Sequence, residues 1–101
     1  YAPDAMIRQN ADAPLLGEAW LGFGDDPDLS HAAVSCNLSP QADLNEAASH
    51  LFSMLRQLDQ SGAKTIAIAP IPDHDLGVAI NDRLTRAAAP RTIDKASNKD
   101  K

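Results

Sequence analysis

Apolar residues recur along the middle of the chain with the period of an α-helix. Their spacings are four, three, four and three residues, in the order Leu44, Ala48, Leu51, Leu55 and Leu58. This spacing places all five side chains on one face of an amphipathic helix. A helix with a single apolar face is stable only when that face packs against another layer of structure. The rest of the chain must therefore supply a sheet or further helices to cover it.

The ends of this helix are marked by residues that favour helix boundaries. Ser39 precedes Pro40, and a serine followed by a proline at the first helical position is typical of a helix start. Gly62 can supply the left-handed conformation that commonly follows a helix. We therefore predict a helix over about residues 40–60, with Ser39 as its N-terminal cap.

The segment after this helix indicates a buried strand followed by a second helix. Residues 65–69 are apolar on both faces, which is typical of an interior strand in a parallel sheet covered by helices. A helix over about 74–89 follows, capped near Asp73 or Asp75. The residues expected to face inward from it are Leu76, Ile80, Leu84 and Ala87 or Ala88.

Shorter strands are indicated earlier in the chain, at 6–9, 19–23 and 32–38. The connection at 10–18 contains Pro14 and Gly17, and it is too short and too broken for a crossover helix. The whole pattern predicts an α/β fold with a mostly parallel sheet of about four strands flanked by helices.

Charge is distributed unevenly along the 101 residues. Residues 1–89 hold five basic and twelve acidic side chains, a balance of −7, whereas the last twelve residues are basic overall. An acidic body repels phosphate groups, so we expect no direct binding of nucleic acid. After Pro90 no apolar period remains, and we predict one domain over 1–89 and a disordered tail over 90–101.

Nothing in the composition suggests a membrane or secreted protein. No apolar run approaches the roughly 20 residues of a membrane span, and no signal-peptide pattern opens the chain. The single cysteine, Cys36, cannot form an internal disulfide. We expect a cytoplasmic protein that does not contact membranes.

Few residue clusters have the pattern of an active site. The loop with Asp25, Asp26, Asp28 and His31 has oxygen ligands suited to a metal ion. It lacks the alternating acids, central glycine and terminal glutamate of an EF-hand calcium-binding loop, so we favour a solvated turn. The acids of Asp73-His74-Asp75 are better explained as helix caps than as catalytic groups, because sequence neighbours on a helix do not face each other. We therefore predict no catalytic residue and no metal site.

Two residues of the second helix have unusual positions for their type. Gly77 is unfavourable within a helix, so either the helix begins after it or another backbone or a ligand approaches it closely. Arg83 flanks the apolar face, where it can pair with a carboxylate or reach an interdomain contact.

Three segments, in order, resemble the C-terminal domain of long-form threonylcarbamoyl-AMP synthases. Tyr1-Ala2-Pro3 is similar to the end of the His-Tyr-Ala-Pro motif that closes the interdomain linker of that family. The stretch at 37–59 resembles its NLSP segment and the helix after it. The stretch at 68–88 resembles its Pro-rich turn and GLG-x-AINDRL ending.

The resemblance implies a small Rossmann-like domain that follows a YrdC-like catalytic domain in the same parent chain. The parent makes threonylcarbamoyl-AMP from threonine, bicarbonate and ATP, with Mg²⁺, for tRNA modification. This chain has no cofactor of its own by that reading, and its function is to position the linker over the active site. Tyr1 and Pro3 are then the linker end, and Ser39, Gly77 and Arg83 are candidate interdomain or anion contacts.

An alternative is a stand-alone module that binds a ligand or another protein. Ligands of open α/β sheets bind at the carboxyl ends of the strands, and helix N-termini favour anions. A crevice beside Ser39 and Asp73 is the corresponding site.

Overall fold

A computed structural model describes residues 3–89 of the chain, which form four short strands and two helices. The order of elements agrees with the predicted one, although all four strands are shorter than predicted. The elements are β1 (Met6–Arg8), β2 (Ala19–Gly22), β3 (Val34–Asn37), α1 (Leu44–Gln60), β4 (Thr65–Ile68) and α2 (Leu76–Ala88).

The four strands form one sheet in the order β1-β4-β2-β3. All three pairings are parallel, with Ile7 beside Ile66, Leu21 beside Ile68, and Leu21 also beside Cys36. The predicted α/β class with a parallel sheet is confirmed. The interior position predicted for strand 65–69 is also confirmed, because β4 lies between β1 and β2.

Both helices pack on one face of the sheet. Side chains alternate between the two faces of a strand, so Ala19, Leu21, Ile66 and Ile68 share the face beneath the helices. They join one core cluster with four residues of α1 and two of α2, namely Ala47, Leu51, Leu55, Leu58, Ile80 and Leu84. The amphipathic pattern along α1 therefore identified the buried face correctly.

The other face of the sheet is covered by loops rather than by helices. Trp20, only 1 % exposed, forms a second buried cluster with Ala11, Ala67 and Ala69. No helix lies between β1 and β2 in the described chain, as the broken connection at 10–18 predicted. Strand β4 is buried on both sides, as its apolar run indicated, but loops cover it on this side because the chain between β1 and β2 is too short to form a helix.

An ion pair holds this covering loop against the sheet. Arg8 donates from Nη2 to Glu18 Oε1 at 2.7 Å and from Nε to Glu18 Oε2 at 3.0 Å. Arg8 also donates to the carbonyl oxygen of Ala13, and Glu18 accepts from the backbone N–H of Leu15. The hydrogen bond from Arg8 is the main reason that the pKa of Glu18 is lowered. The loop is therefore tied to β1 at one end and β2 at the other.

The start of α1 differs from the prediction. The helix begins at Leu44, and its cap is Asp43, whose side chain accepts from the backbone N–H groups of Asn45 and Glu46. Ala42 has a φ of 61°, a left-handed conformation that interrupts any helix running on from Pro40. The end of the helix agrees with the prediction, since Gly62 has a φ of 88° immediately after the capping residue.

The first turn of α2 also differs from the prediction. Leu76 is 41 % exposed instead of facing inward, and Gly77 is buried in its place. Asp75 occupies the cap position but makes no side-chain capping hydrogen bond, and Asp73 accepts instead from Asn81. Ile80 and Leu84 are buried as predicted, whereas Ala87 is only half-buried and Ala88 is exposed.

The tail predicted at 90–101 lies outside the described residues. Among residues 3–89, no helix has the length and apolar content needed to cross a lipid bilayer.

Candidate functional site

The chain enters the domain through a short segment that is fixed against the end of α1. Pro3 is among the fully buried side chains. The next two backbone N–H groups both donate to one carboxylate: Asp4 N lies 3.2 Å from Asp59 Oδ2, and Ala5 N lies 2.9 Å from Asp59 Oδ1. We call this arrangement the Asp59 clamp. Tyr1 lies outside the described residues, so its predicted role as part of the linker end stays a prediction, as does that of Pro3.

Asp59 was not identified from the sequence, although one signal was available. It lies in the last turn of α1, where a negative charge is unfavourable beside the helix dipole, and that turn contains no basic residue. An acid in such a position is explained when it accepts hydrogen bonds from another segment. The two N–H groups of Asp4 and Ala5 supply that compensation.

Ser39 is fully buried in a network that joins β3 to α1. Its hydroxyl donates to Glu46 Oε1 at 2.6 Å and accepts from Asp43 N at 2.9 Å. Its own backbone N–H donates to Asn37 Oδ1. The hydroxyl therefore shapes the entrance to α1 without serving as the N-cap, and an anion contact through it stays a prediction that would require it to leave Glu46.

The acidic loop after β2 is organised around Asp26. One carboxylate oxygen, Asp26 Oδ1, accepts from Trp20 Nε1 at 3.0 Å and from Asn37 Nδ2 at 3.1 Å. Asp28 accepts from the backbone N–H of Ser30, and this bond is the main cause of its lowered pKa. These contacts give Asp26 and Asp28 a structural role, in the turns that cover Trp20 and hold the end of β3.

Gly77 and Asn81 together hold the turn that leads from β4 into α2. A Cβ on Gly77 would lie 1.8 Å from the carbonyl oxygen of Pro72, so only glycine fits beside this backbone. One turn later, Asn81 Nδ2 donates to the carbonyl oxygen of Ile71 at 3.0 Å. Close approach of another backbone was one of the explanations predicted for Gly77, and it is the one observed. Its predicted role in an interdomain contact stays a prediction.

Arg83 lies on the outer surface, between the two helices. Its guanidinium carbon is 5.0 Å from the centre of the Phe52 ring, and Phe52 is 39 % exposed. Arg86, one turn further, pairs with Asp82 through an Nε to Oδ2 distance of 3.2 Å. A cavity of about 330 Å³ opens between these four side chains. The pairing of Arg83 with a carboxylate, predicted as one possibility, does not occur among residues 3–89, and its interdomain contact stays a prediction.

A polar cleft lies at the carboxyl ends of β1 and β4, which is where open α/β sheets bind ligands. It has a volume of about 520 Å³, and the described residues that line it include two carboxylates, three amides and a hydroxyl but no lysine or arginine. These polar side chains are Gln9, Asn10, Asp73, Asn81, Asp82 and Thr85. A cleft of this composition does not favour the anion considered for the crevice beside Asp73.

The remaining titratable residues do not converge on one site. His74 and Asp75 contact each other at 3.1 Å, but both are largely exposed and lie just before α2 rather than within it. Helix periodicity was therefore the wrong argument against their pairing. His50 contacts the carbonyl oxygen of Leu38, and Cys36 is half-buried, with its pKa raised by that burial. No nucleophile and base are brought together among these residues.

Comparison with known proteins gives one match. A protein-family model described as the C-terminal domain of threonylcarbamoyl-AMP synthase covers residues 1–89. No curated protein and no solved structure matches the chain significantly.

Proposed function

The chain belongs to the family of threonylcarbamoyl-AMP synthase C-terminal domains, and we propose that it anchors the interdomain linker of its parent enzyme instead of performing chemistry itself. The family places the parent in tRNA modification. In the parent, the YrdC-like domain that precedes this one binds ATP with Mg²⁺ and carries out the reaction. The partner of this domain is then that catalytic domain, held in the same polypeptide.

The Asp59 clamp is the observation that carries this proposal. The segment it holds, Pro3 to Ala5, is the part of the described chain nearest to the linker that the family resemblance places before it. Pro3, at the start of this segment, is buried. The clamp therefore fixes the point at which the chain enters the domain.

The two hydrogen bonds of the Asp59 clamp are strong enough to keep Asp4 and Ala5 ordered. Fixing the backbone of one residue costs roughly 1–2 kcal/mol, so ordering Asp4 and Ala5 costs about 2–4 kcal/mol. A hydrogen bond to a charged group contributes about 1.5–3 kcal/mol, and solvent around the half-buried Asp59 reduces this value. Two such bonds are of the size needed to offset the entropy of ordering Asp4 and Ala5.

A fixed linker end suits the chemistry of the parent. Threonylcarbamoyl-AMP is a mixed anhydride of an acid and a phosphate, and water hydrolyses such compounds readily. Lids that close over an active site exclude water and retain reactive intermediates. A linker that is anchored at one end has fewer open conformations, so it spends more time over the active site.

The proposal is tested in the intact parent chain by substitution of Asp59. Asp59→Ala removes both acceptors, and Asp59→Asn retains one acceptor without the charge. We expect pyrophosphate release to continue while the fraction of threonylcarbamoyl-AMP retained on the enzyme falls, more in the alanine variant than in the asparagine variant. Asp25→Ala, which removes an exposed aspartate far along the chain from the clamp, is the control and is expected to match the parent.

Two results would contradict the proposal. One is unchanged retention in Asp59→Ala, with a melting midpoint showing that the domain remains folded. The other is production of pyrophosphate from ATP by the purified 101-residue chain, which would place the chemistry in this domain.

A further inference from the structure

The outer surface of the two helices carries a compact basic and aromatic patch. We define the docking patch as Phe52 of α1 with Arg83 and Arg86 of α2. Arg83 lies over the half-exposed ring of Phe52, and Arg86 is held by Asp82 beside it. The cavity of about 330 Å³ between them is open to the surface and is large enough to admit one side chain.

The patch is unusual in an acidic domain. Residues 3–89 contain only five lysine and arginine residues against twelve acids, and two of the five belong to the patch. A third, Arg56, lies one turn from Phe52 on the same side of α1. Three of the five basic residues of the described chain therefore lie on one surface of the helix pair, where Asp82 pairs with Arg86.

The Arg83 side chain is held in an orientation that favours binding of a carboxylate. Its guanidinium is stacked against Phe52, and it forms no ion pair within the described part of the chain. Stacking limits the conformations of the side chain and leaves the N–H groups at the edge of the guanidinium able to donate. A planar guanidinium pairs with a carboxylate through two parallel hydrogen bonds. The charge of −7 over residues 1–89 disfavours a polyanion such as nucleic acid as the ligand of this surface, because the acidic domain repels its phosphate groups.

The patch lies close to the point where the linker is held. Phe52, Arg56 and Asp59 are separated by four and three residues, so they follow one stripe along α1. At a rise of 1.5 Å per residue, Phe52 and Asp59 are roughly 10 Å apart along the helix axis. A body attached through the segment at Asp59 is thus present at high effective concentration beside the patch.

We propose that the docking patch is the surface on which the preceding catalytic domain of the parent chain rests, through a carboxylate that binds Arg83 and an apolar side chain that covers Phe52. This inference rests on the proposed function, because it takes the partner from the same parent. An arginine and an aromatic ring at the centre of a small interface commonly provide most of its binding energy.

The test compares linker exposure in variants of the intact parent chain. Arg83→Gln and Phe52→Ala each remove part of the patch. Gln57→Glu, on another side of α1, changes the charge by the same amount as Arg83→Gln and is its control. Leu16→Ala, which truncates an exposed leucine of the loop before β2 and outside the patch, is the control for Phe52→Ala. The readout is the rate of proteolytic cleavage in the linker, with small-angle X-ray scattering as a second measure of domain separation.

We expect cleavage to accelerate about tenfold in Arg83→Gln, which corresponds to a loss of about 1.4 kcal/mol of docking free energy. The controls are expected to match the parent, and the melting midpoints of all four variants to stay close to it. Unchanged cleavage in both patch variants overturns the inference. If Asp59→Ala still lowers retention of the intermediate in that case, the proposed function stands without this surface.

A third measurement separates a protein partner from a nucleic acid. Binding of tRNA to the parent is measured for Arg83→Gln and for its control. A loss of tRNA affinity without a change in linker cleavage assigns the patch to nucleic acid and also overturns the inference.

Discussion

Replacement of Gly77 by alanine tests whether this glycine is required for close packing or is only a residue of low helix propensity within α2. If Gly77 were only a poor helix former within α2, alanine would stabilise the domain by up to about 1 kcal/mol. The structure predicts the opposite sign. The new Cβ would lie 1.8 Å from the carbonyl oxygen of Pro72, and Cβ atoms essentially never approach another atom more closely than 3.0 Å, so the two backbones must separate by at least 1.2 Å.

The cost follows from what this separation disturbs. Overpacking of a well-packed site costs roughly 1–3 kcal/mol. Movement of the Pro72 turn also strains the hydrogen bond from Asn81 to Ile71, which contributes about 1 kcal/mol. After the gain in helix propensity is subtracted, we expect Gly77→Ala to lower the free energy of unfolding by about 1–3 kcal/mol. A loss of 2 kcal/mol lowers the melting midpoint of a domain this size by about 8–16 °C.

Urea melts of Gly77→Ala and of the adjacent exposed substitution Val78→Ala provide the measurement. Val78 is 51 % exposed, and its truncation is expected to change stability by less than about 0.5 kcal/mol. Equal or greater stability in Gly77→Ala would refute the argument that the Pro72 backbone needs this space.

Two further predictions concern the core and the covering loop. Leu51→Ala and Leu55→Ala, each at a side chain 2 % exposed, are expected to destabilise by about 2–5 kcal/mol in urea melts, and losses below about 0.5 kcal/mol would place this face of α1 in solvent. Because Arg8 lowers the pKa of Glu18 in the folded state, the ion pair stabilises the fold above the ordinary value of 4.5, and this stabilisation is lost as the pH falls through the lowered value. Glu18→Gln should therefore lose stability at pH 7 and approach the wild type in acid. Parallel pH profiles for the two proteins would contradict this assignment.

The parts of the fold that were predictable are those where one local signal dominates. The buried face of α1 follows from its apolar period, and the interior position of β4 follows from an apolar run with no polar alternation. The start of α1 was predicted wrongly because two signals compete there. Ser39-Pro40 is one start signal, and Asp43 followed by Glu46 is another that resembles a capping box. The left-handed Ala42 between them decides in favour of the second.

The candidate site was less predictable because its contacts join residues far apart in the sequence. Asp59 acts on Asp4 and Ala5, more than fifty residues away. The contact of Phe52 with Arg83 depends on how the two helices pack, which the pattern of either helix alone does not reveal. Gly77 and Arg83 stood out in the sequence by residue type and position, but the contacts that explain them are made with neighbouring elements, namely the Pro72 turn and Phe52.

Helices cover one face of the sheet and loops cover the other, so two optical signals can follow the unfolding of the two sides separately. Trp20 is the only tryptophan, and it lies beneath the loops on the face opposite the helices, so its fluorescence reports the opening of that side. Far-ultraviolet circular dichroism reports mainly the two helices on the other side. Coincident transitions by the two signals indicate a single cooperative unit. A fluorescence change at lower denaturant identifies the loop-covered face as a unit that opens before the helices unfold.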